Sequence, residues 1–481
     1  MKFIHIGIVF FLSILFLSHT LAQNNQQSVY FNADRISNID QYVKESMSDN
    51  RVPGTSIALI ESGKIVYIKG YGVADSSGTK VTPETPFQLA SITKSFTALL
   101  MVQLEEEGKL QLSDSVTQYI SWFETSKPKQ ANSITLRHLL QHNSGLSNAV
   151  GNLSQNSSYR GADATELAVK KLLHAQLLFE PGAGFHYSNA NYHLATHIIE
   201  LLEKKPFEQV MLERILVPLG MKNSYVQMTN NETKKEASGF PHWFGFPIER
   251  PFILGRMKMG DGGMTASAED LATYLIAVAN AETSVISKGM RAKLLNTEFN
   301  SAEYGLGWSV ITNDDGLLYE HSGGNGGFSS YFGFTDATSK RDDIGFVILS
   351  NSSSSLYDRF AYDLRSVILN KEPVPAKPNM FNLVSLIWLY IGSVILMFVL
   401  YREIFRPKIR QFNLKLIIAP VVLLCLSYFN AFTVPSMNGI NLLSIFPFFP
   451  DLMVGLLGFS VLTLILALVK IGRLIKTMLD F

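Results

Sequence analysis

The chain has 481 residues, with 41 Lys and Arg against 40 Asp and Glu, and one cysteine, Cys425. The formal net charge of +1 gives no reason to expect nucleic acid or another polyanion as a partner. A single cysteine excludes an intrachain disulfide framework and a cysteine-based metal cluster. Hydrophobic residues make up 47% and charged residues only 17%, which excludes a disordered chain and argues against a uniformly soluble globule.

Residues 1–22 have the pattern of a secretory signal peptide. Lys2 gives a short positive start, an apolar run extends from Phe3 to about Leu17, and small residues follow up to Ala22. An uncleaved N-terminal anchor is the alternative interpretation. In either case residues 23–372 are predicted to be exported, and they are numerous enough to bury a substantial core.

The exported domain is predicted to be α+β. In chain order the predicted elements are a helix at 36–48, a hairpin of Thr55–Ile60 and Ile65–Lys69, a helix at 92–107, a mostly helical middle at 135–290, and strands at 306–312, 328–335 and 343–350. Strands at both ends with helices between them indicate one antiparallel sheet built from distant parts of the chain.

The C-terminal region is predicted to lie in a membrane. A Pro-rich linker, 373–380, leads into residues 381–481, which have three apolar stretches near 381–401, 414–434 and 451–470. Each stretch is close to the ~20 residues that a spanning helix needs, so three transmembrane helices are expected.

The positive residues around these stretches predict their orientation. Five Lys and Arg lie within 402–415, none lies within 435–450, and three lie within 470–476. Because positive residues favour the cytoplasmic side, the first connection and the C-terminus are placed in the cytoplasm. We therefore expect a multi-pass protein of the cytoplasmic (inner) membrane whose exported domain is periplasmic or extracellular.

A Ser-x-x-Lys sequence, Ser91 to Lys94, opens the helix predicted at 92–107. At this spacing the lysine amine can reach the serine hydroxyl, which becomes nucleophilic when a base takes its proton. Burial and neighbouring cations can lower a lysine pKa from ~10.4 toward ~7–8, where the amine acts as a base. Two other matches, Ser77–Lys80 and Ser126–Lys129, lie in turn-like sequence, and an ordinary helix N-cap is the alternative interpretation of Ser91.

Two further groups of residues can complete such a site. In Tyr187-Ser188-Asn189, a tyrosine hydroxyl near a lysine can be held as phenolate and relay protons, and the asparagine amide can bind both the lysine and a substrate carbonyl. In His321-Ser322-Gly323-Gly324, the glycines let a ligand approach the backbone closely, although a flexible loop between strands fits the same residues.

Together and in this order, the three groups resemble the serine β-lactamase and penicillin-binding-protein superfamily. The most similar branch is that of class C β-lactamases and related D-alanyl-D-alanine carboxypeptidases, D-amino-acid peptidases and esterases. The resemblance extends from about 37 to 370, and three more stretches support it: Leu139–Leu146, Gly262–Met264 with Asp270–Ala272, and Tyr304–Trp308.

This resemblance implies an acyl-enzyme mechanism and a fold in which an antiparallel sheet is flanked by helices, with a helical subdomain. Ser91 would be the nucleophile, and Lys94 and Tyr187 would act together as general base and proton relay. Asn189 would orient Lys94 and the substrate amide. The backbone N–H groups of Ser91 and Gly324 would form the oxyanion hole.

His321 and Ser322 would line the strand that holds the substrate and its carboxylate. His321 stands where many β-lactamases have lysine, and a neutral histidine attracts a carboxylate less than an ammonium does. The difference favours peptidases of the branch over efficient β-lactamases.

The predicted function is therefore a membrane-anchored extracytoplasmic serine hydrolase acting on D-amino-acid peptides, cell-wall peptides included, or on small amides and esters. No cofactor is expected. The alternatives are a β-lactamase, and a penicillin-binding sensor or wall-binding protein without turnover. A zinc site at the i,i+4 pairs His138/His142 and His193/His197 is disfavoured, because no carboxylate or cysteine completes either pair.

Overall fold

The computed structural model describes residues 30–154, 157–226, 236–250, 255–297, 303–313, 316–336, 343–353, 360–372, 380–405, 415–433 and 450–479. The predicted signal peptide at 1–22 and all but the last residue of the predicted linker lie outside these residues. Both remain predictions.

A six-stranded antiparallel sheet forms the centre of the domain at residues 30–372, in the order β2-β1-β11-β10-β9-β8. The strands of this sheet are β1 Gly54–Glu61, β2 Lys64–Gly72, β8 Ser309–Asn313, β9 Gly316–Asn325, β10 Phe328–Thr335 and β11 Ile344–Ser350. Strand β1 pairs with β2 on one side and with β11 on the other, so the first and last parts of the domain meet in the sheet. The predicted α+β fold and its antiparallel sheet are confirmed.

The sheet is covered on both faces. In β11, Phe346 and Ile348 point to one face, where they pack with the first and last helices of the domain, while Val347 and Leu349 point to the larger core on the other face. Burying one such side chain contributes roughly 1.5–3 kcal/mol, so this alternation fixes the register of the strand.

Helices occupy most of the rest of this domain. They are α1 Ala33–Asp49, α2 Thr93–Glu106, α3 Val116–Tyr119, α4 Pro128–Ala131, α5 Leu136–Leu140, α6 Asn148–Gly151, α7 Ala164–Lys170, α8 Asn189–Glu203, α9 Phe207–Met211, α10 Met259–Gly262, α11 Ala268–Asn280, α12 Lys288–Leu295 and α13 Phe360–Ile368. Helix α2 is buried at every position from Thr93 to Leu104, which makes it the central helix of the larger core.

Two small sheets connect these parts. They have the orders β3-β7-β4 and β12-β5-β6, with β3 Phe87–Gln88, β4 Tyr225–Val226, β5 Phe240–Trp243, β6 Phe246–Pro247, β7 Met264–Ala266 and β12 Ser352–Ser353. Short 3₁₀ helices lie at Ala90–Ile92, Asn152–Ser154 and Arg256–Lys258, and a π-helical turn lies at Leu212–Leu216.

Two of the three predicted spans contain helices that are long and apolar enough to cross a membrane, and the third contains a shorter apolar helix among the described residues. Helices α14 Met380–Phe405 and α16 Pro450–Leu479 contain the two candidate spans, Leu386–Phe405 and Asp451–Leu479. The middle helix, α15 Lys415–Tyr428, continues into a π-helical turn at Phe429–Thr433. Its apolar helical part in the described chain is Ile418–Ala431, about 21 Å at 1.5 Å per residue, which is less than the ~30 Å hydrocarbon core.

Polar contacts fix the relative direction of these helices. Near the start of α14, the Tyr390 hydroxyl donates to the main-chain oxygen of Asp451 at 2.9 Å. Toward its end, Glu403 pairs with Lys470 at 3.1 Å. Since both contacts join α14 to α16 in the same chain direction, the two candidate spans lie parallel.

Candidate active site

Ser91 lies in the 3₁₀ turn Ala90–Ile92, which leads directly into α2. Ala90 has φ +47°, a left-handed backbone conformation that side chains other than glycine rarely adopt. Such a strained backbone persists only where the surrounding structure holds it in place, and it is often found at functional sites. Here it presents the half-buried Ser91 at the start of a helix that is buried from Thr93 to Leu104.

Lys94 is fully buried one turn after Ser91. Its Nζ atom donates to Ser91 Oγ at 3.1 Å and to the main-chain oxygen of Asp261 at 2.7 Å. Burial lowers the pKa of Lys94 to about 8, although the Asp261 carboxylate acts in the opposite direction. The amine is thus in contact with the serine hydroxyl, and its lowered pKa allows it to exchange a proton with that hydroxyl.

The segment that carries Asp261 is fixed to α2 by two more hydrogen bonds. Thr97 Oγ1 donates to the main-chain oxygen of Gly260 at 2.7 Å, and the main-chain N–H of Met264 donates to Thr93 Oγ1 at 3.1 Å. Both threonines lie on α2, so the helix that carries Lys94 also positions the oxygen that Lys94 binds.

Tyr187 is the third residue of this group. Its side chain is hydrogen-bonded to Ser91, and Lys94 Nζ lies 5.0 Å from its ring centroid. Burial raises the pKa of Tyr187 even though the Ser91 hydrogen bond acts to lower it. The phenolate form expected from the sequence is therefore disfavoured, and a protonated Tyr187 is the species next to Ser91.

Asn189 is the first residue of α8 and lies close to the site, but its contacts differ from the expectation. Its Nδ2 donates to Asn152 Oδ1 at 3.2 Å rather than contacting Lys94. Its Oδ1 is buried and has no partner within the described part of the chain. A buried acceptor of this kind can take a hydrogen bond from a substrate amide N–H.

The strand β9 passes directly against the turn that carries Ser91. A Cβ atom on Gly323 would overlap the main-chain oxygen of Leu89 and lie 3.1 Å from the Ser91 nitrogen. Only a glycine allows this approach. Gly324 follows with open space around its α-carbon, so the two glycines have different surroundings.

His321 is buried in β9 and differs from the expected carboxylate-binding residue. Its Nδ1 donates to the main-chain oxygen of Ser322 at 2.6 Å, which leaves Nε2 to accept from the Tyr304 hydroxyl at 2.9 Å. Burial, and then the charge of Lys94, lower the pKa of His321 to about 4. The imidazole is therefore neutral at physiological pH and offers no cation to a substrate.

Ser322 faces away from Ser91. It pairs with Tyr331 across the β9–β10 ladder, whereas Gly323, on the Ser91 side, pairs with Ser330. Because paired residues share a face, Ser322 points to the opposite face of the sheet. There it lines a cavity of about 270 Å³ together with Tyr331 and Tyr362.

The second half of β9 presents an open edge. The ladder to β8 ends at Glu320, while that to β10 continues to Asn325. Within the described residues, positions 321–325 therefore have a strand on one side only. The free backbone groups of such an edge can pair with an extended ligand.

A buried group of charges that sequence reasoning missed lies behind Lys94. His193 Nε2 is 3.2 Å from Asp261 Oδ1, and Lys258 is buried nearby. Burial alone would raise the pKa of Asp261, but Lys258 and His193 together lower it, so the carboxylate is ionised. The position of Asp261 beside Gly262-Gly263 is the one signal that the sequence offered.

In each of the two histidine pairs considered for zinc, the two histidines contact different partners. His142 packs on Tyr187 with 4.1 Å between ring centroids, whereas His138 Nδ1 accepts from the main-chain N–H of Thr135. His193 contacts Asp261 and His197 contacts Thr165. No group of three or more His, Cys, Asp or Glu able to hold a metal ion is found in the described ranges.

Comparison with known proteins agrees with this fold and these motifs. The Beta-lactamase family model matches residues 39–369. The chain belongs to the β-lactamase family, and the matched domain has the fold shared by serine β-lactamases and penicillin-binding proteins.

Three proteins illustrate what this chain is similar to. Protein flp of Staphylococcus aureus (strain MW2) is 29% identical over 356 residues, which cover 73% of this chain and 70% of that protein. The penicillin-binding protein homologue from Pyrococcus abyssi has a TM-score of 0.60 and 29% identity, covering 73% of this chain and 81% of its own. FmtA from Staphylococcus aureus, with a TM-score of 0.59 and 24% identity over 75% of this chain and 96% of its own, shares the fold.

Proposed function

We propose that this protein is a membrane-anchored, extracytoplasmic serine hydrolase that acts through an acyl-Ser91 intermediate. The contact that supports the proposal most directly is the 3.1 Å hydrogen bond between Ser91 and the fully buried Lys94. An amine whose pKa is lowered toward 8 can take the serine proton, which an ordinary surface lysine cannot do near neutral pH.

In the proposed reaction, Lys94 accepts the hydroxyl proton as Ser91 Oγ attacks the substrate carbonyl carbon. Tyr187, protonated and hydrogen-bonded to Ser91, donates a proton to the leaving amine or alcohol as the scissile bond breaks, and regains one through Lys94. The backbone N–H groups of Ser91 and Gly324 stabilise the oxyanion. Water then attacks the acyl-serine, and the acid is released.

The proposed substrates are D-amino-acid peptides, including cell-wall peptides, or small amides and esters. Two features support this class. The open edge of β9 at 321–325 can pair with a peptide backbone, and the neutral His321 lacks the charge that would favour a β-lactam carboxylate. Hydrolysis of β-lactams is the alternative.

The proposed location is the cytoplasmic membrane, with the hydrolase domain outside. The two candidate spans and the positive residues of 402–415 and 470–476 support it. Protease digestion of intact cells or spheroplasts, followed by detection of a C-terminal tag, tests it. Loss of the hydrolase domain with retention of a protected tag is expected, and a hydrolase domain protected in intact spheroplasts contradicts the topology.

The function is tested by intact mass spectrometry of the full chain in detergent, incubated with a penicillin and separately with a small ester. Ser91→Ala is compared with Ser77→Ala, which changes the exposed serine of another Ser-x-x-Lys match. A Ser91-dependent acyl adduct or ester cleavage is expected, and Ser77→Ala should behave as the unchanged protein. Neither adduct nor cleavage, or equal reaction in Ser91→Ala, contradicts the proposal.

The lifetime of the adduct separates the alternatives. A transient adduct with hydrolysed drug indicates a β-lactamase. A persistent adduct indicates a penicillin-binding peptidase or a sensor without turnover. Ester cleavage without a penicillin adduct indicates the esterase or peptidase branch.

A further inference from the structure

The hairpin β5–β6 carries an unusual turn. Its tip residues, Phe244 and Gly245, both have positive φ, +52° and +78°. Turns of this type connect two-residue hairpins and favour Asn-Gly, because a side chain is strained in the left-handed region. A phenylalanine at the first position is an outlier that the hairpin itself does not require.

The tip of this hairpin contacts both candidate spans. The main-chain N–H of Phe244 donates to Asp451 Oδ2 at 3.2 Å, and its ring packs edge-on against Tyr390 at 5.0 Å between centroids. Asp451 is the first residue of one span, and Tyr390 is the fifth residue of the other span, Leu386–Phe405. The hairpin therefore meets the spans at their N-terminal ends, on the side of the hydrolase domain.

Large apolar side chains remain exposed at this tip. Phe244 is 43% exposed, Phe246 60% and Ile248 50%. Phe246 and Ile248 lie two residues apart on the same arm of the hairpin. On α14, Trp388 is 72% exposed, so a candidate span also carries exposed aromatic surface near the end that the hairpin contacts.

We infer that the tip Phe244–Ile248 inserts into the lipid interface beside the spans and is a further membrane contact of the hydrolase domain. Aromatic residues at the ends of spanning helices are typical of this interface. Lipid would also cover the exposed part of the Phe244 ring, which otherwise presents apolar surface to water. The inference depends on the proposed membrane anchoring and not on the proposed chemistry.

Insertion would also orient the catalytic cleft. The main-chain N–H of Phe240, at the start of β5, lies within hydrogen-bonding distance of the main-chain oxygens of Gly327 and Asn351, at 3.2 and 3.1 Å. Gly327 belongs to the turn between β9 and β10, which follows Gly324 closely. A hairpin held in lipid would fix this end of β9 at a set height above the membrane, where substrates attached to or near the membrane would reach it.

Site-directed spin labelling of the full chain in phosphatidylcholine vesicles tests this. Cys425→Ser provides the background, and a nitroxide is attached to Phe246→Cys or, separately, to Ile248→Cys. Trp388→Cys serves as the lipid-exposed reference. Val217→Cys, at a 66% exposed apolar position on the helical part of the domain, serves as the water-exposed reference.

At Phe246 and Ile248 we expect molecular oxygen to relax the label more than a water-soluble nickel complex does. The label at Trp388 should behave in the same way, and the label at Val217 should respond more to nickel than to oxygen. A label at either hairpin position that is as accessible to nickel as Val217 overturns the inference. Labels shielded from both reagents mean that protein rather than lipid covers the tip, which also overturns it. If Trp388 itself is accessible to nickel, the membrane anchoring fails and the inference fails with it, whereas the proposed chemistry is unaffected.

Discussion

Lys94 binds the main-chain oxygen of Asp261 at 2.7 Å, while the carboxylate of the same aspartate faces His193 instead. The amine is thus held by a neutral acceptor and not by a direct ion pair. This arrangement explains how a lysine close to an aspartate keeps a lowered pKa, because burial dominates over a charge that acts from beyond hydrogen-bonding contact.

Replacement of this carboxylate should shift the pH dependence of acylation. The Asp261 charge acts to raise the pKa of Lys94, while Lys258, His142 and His321 also face this buried region. In Asp261→Asn the pKa of Lys94 should fall below about 8, so the acid limb of the kcat/KM profile should move to lower pH. Glu269→Gln, an exposed carboxylate near the same segment, should leave the limb unchanged. An unmoved or raised limb in Asp261→Asn would contradict the account.

Lys94→Met should stabilise the protein while it removes activity. A lysine whose folded-state pKa lies below its unfolded value of ~10.4 destabilises the fold, fully below pH 8 and less as pH rises above it. Near pH 7 this cost is on the order of 3 kcal/mol, and the lost hydrogen bond to Asp261 offsets about 1 kcal/mol of the gain.

The measurement is thermal unfolding of the full chain in detergent together with the acylation rate. We expect a higher Tm and a rate at least ~10² lower. The matched control is Lys80→Met, from an exposed Ser-x-x-Lys match, which should change stability by less than about 0.5 kcal/mol. If Lys94→Met is as unstable as a variant in which a core side chain has been truncated, the lysine stabilises the fold and the prediction is wrong.

Gly323→Ala should damage the site without unfolding the domain. Its Cβ would overlap the Leu89 oxygen and crowd Ser330, so β9 would have to move away from Ser91. We expect acylation to fall by at least ~10², the typical effect of losing one oxyanion donor. Gly324→Ala meets nothing within 4 Å and should keep the Tm of the unchanged protein. Full acylation activity in Gly323→Ala would mean that the close approach is not required.

The sequence was most informative where the relevant contact is local. The spacing of Ser91 and Lys94 gave their contact, because residues three apart on a helical turn are neighbours. The strand β9 was harder to predict, since its three glycines have low β-propensity and pairing with β8 and β10 determines its conformation.

Distant contacts and electrostatic states could not be predicted. Lys94 donates to the main-chain oxygen of Asp261, which lies 167 positions along the chain, and no pattern of side chains in the sequence indicates such a contact. The neutrality of His321 results from burial by the whole fold rather than from its neighbours in sequence. The third predicted span stays a prediction: its described part contains Pro420 and a π-helical turn at Phe429–Thr433, and hydropathy registers neither of them.

Acid should destabilise the hydrolase domain through its buried histidines. Burial, and then Arg51, lower the pKa of His242 to about 4, and burial keeps the pKa of His142 well below its usual range. Above pH 6.5 such a histidine is neutral in both states. As pH falls from 6.5 toward 4, the unfolded chain binds the proton and the folded chain does not, so stability is lost at about 1.4 kcal/mol per pH unit for each group.

His242 tests this without disturbing the candidate site, since its Nε2 contacts Ser352 in the small sheet with β12. Thermal unfolding of the full chain in detergent should give a Tm that falls between pH 6.5 and 4. The amide of His242→Gln can still contact Ser352 and does not titrate. In this variant the loss of stability should therefore be smaller by the contribution of one histidine, about 1.4 kcal/mol per pH unit. His174→Gln, at an exposed histidine, serves as the comparison and should leave the slope unchanged. An identical slope in His242→Gln would mean that this buried histidine does not remain neutral in the folded protein.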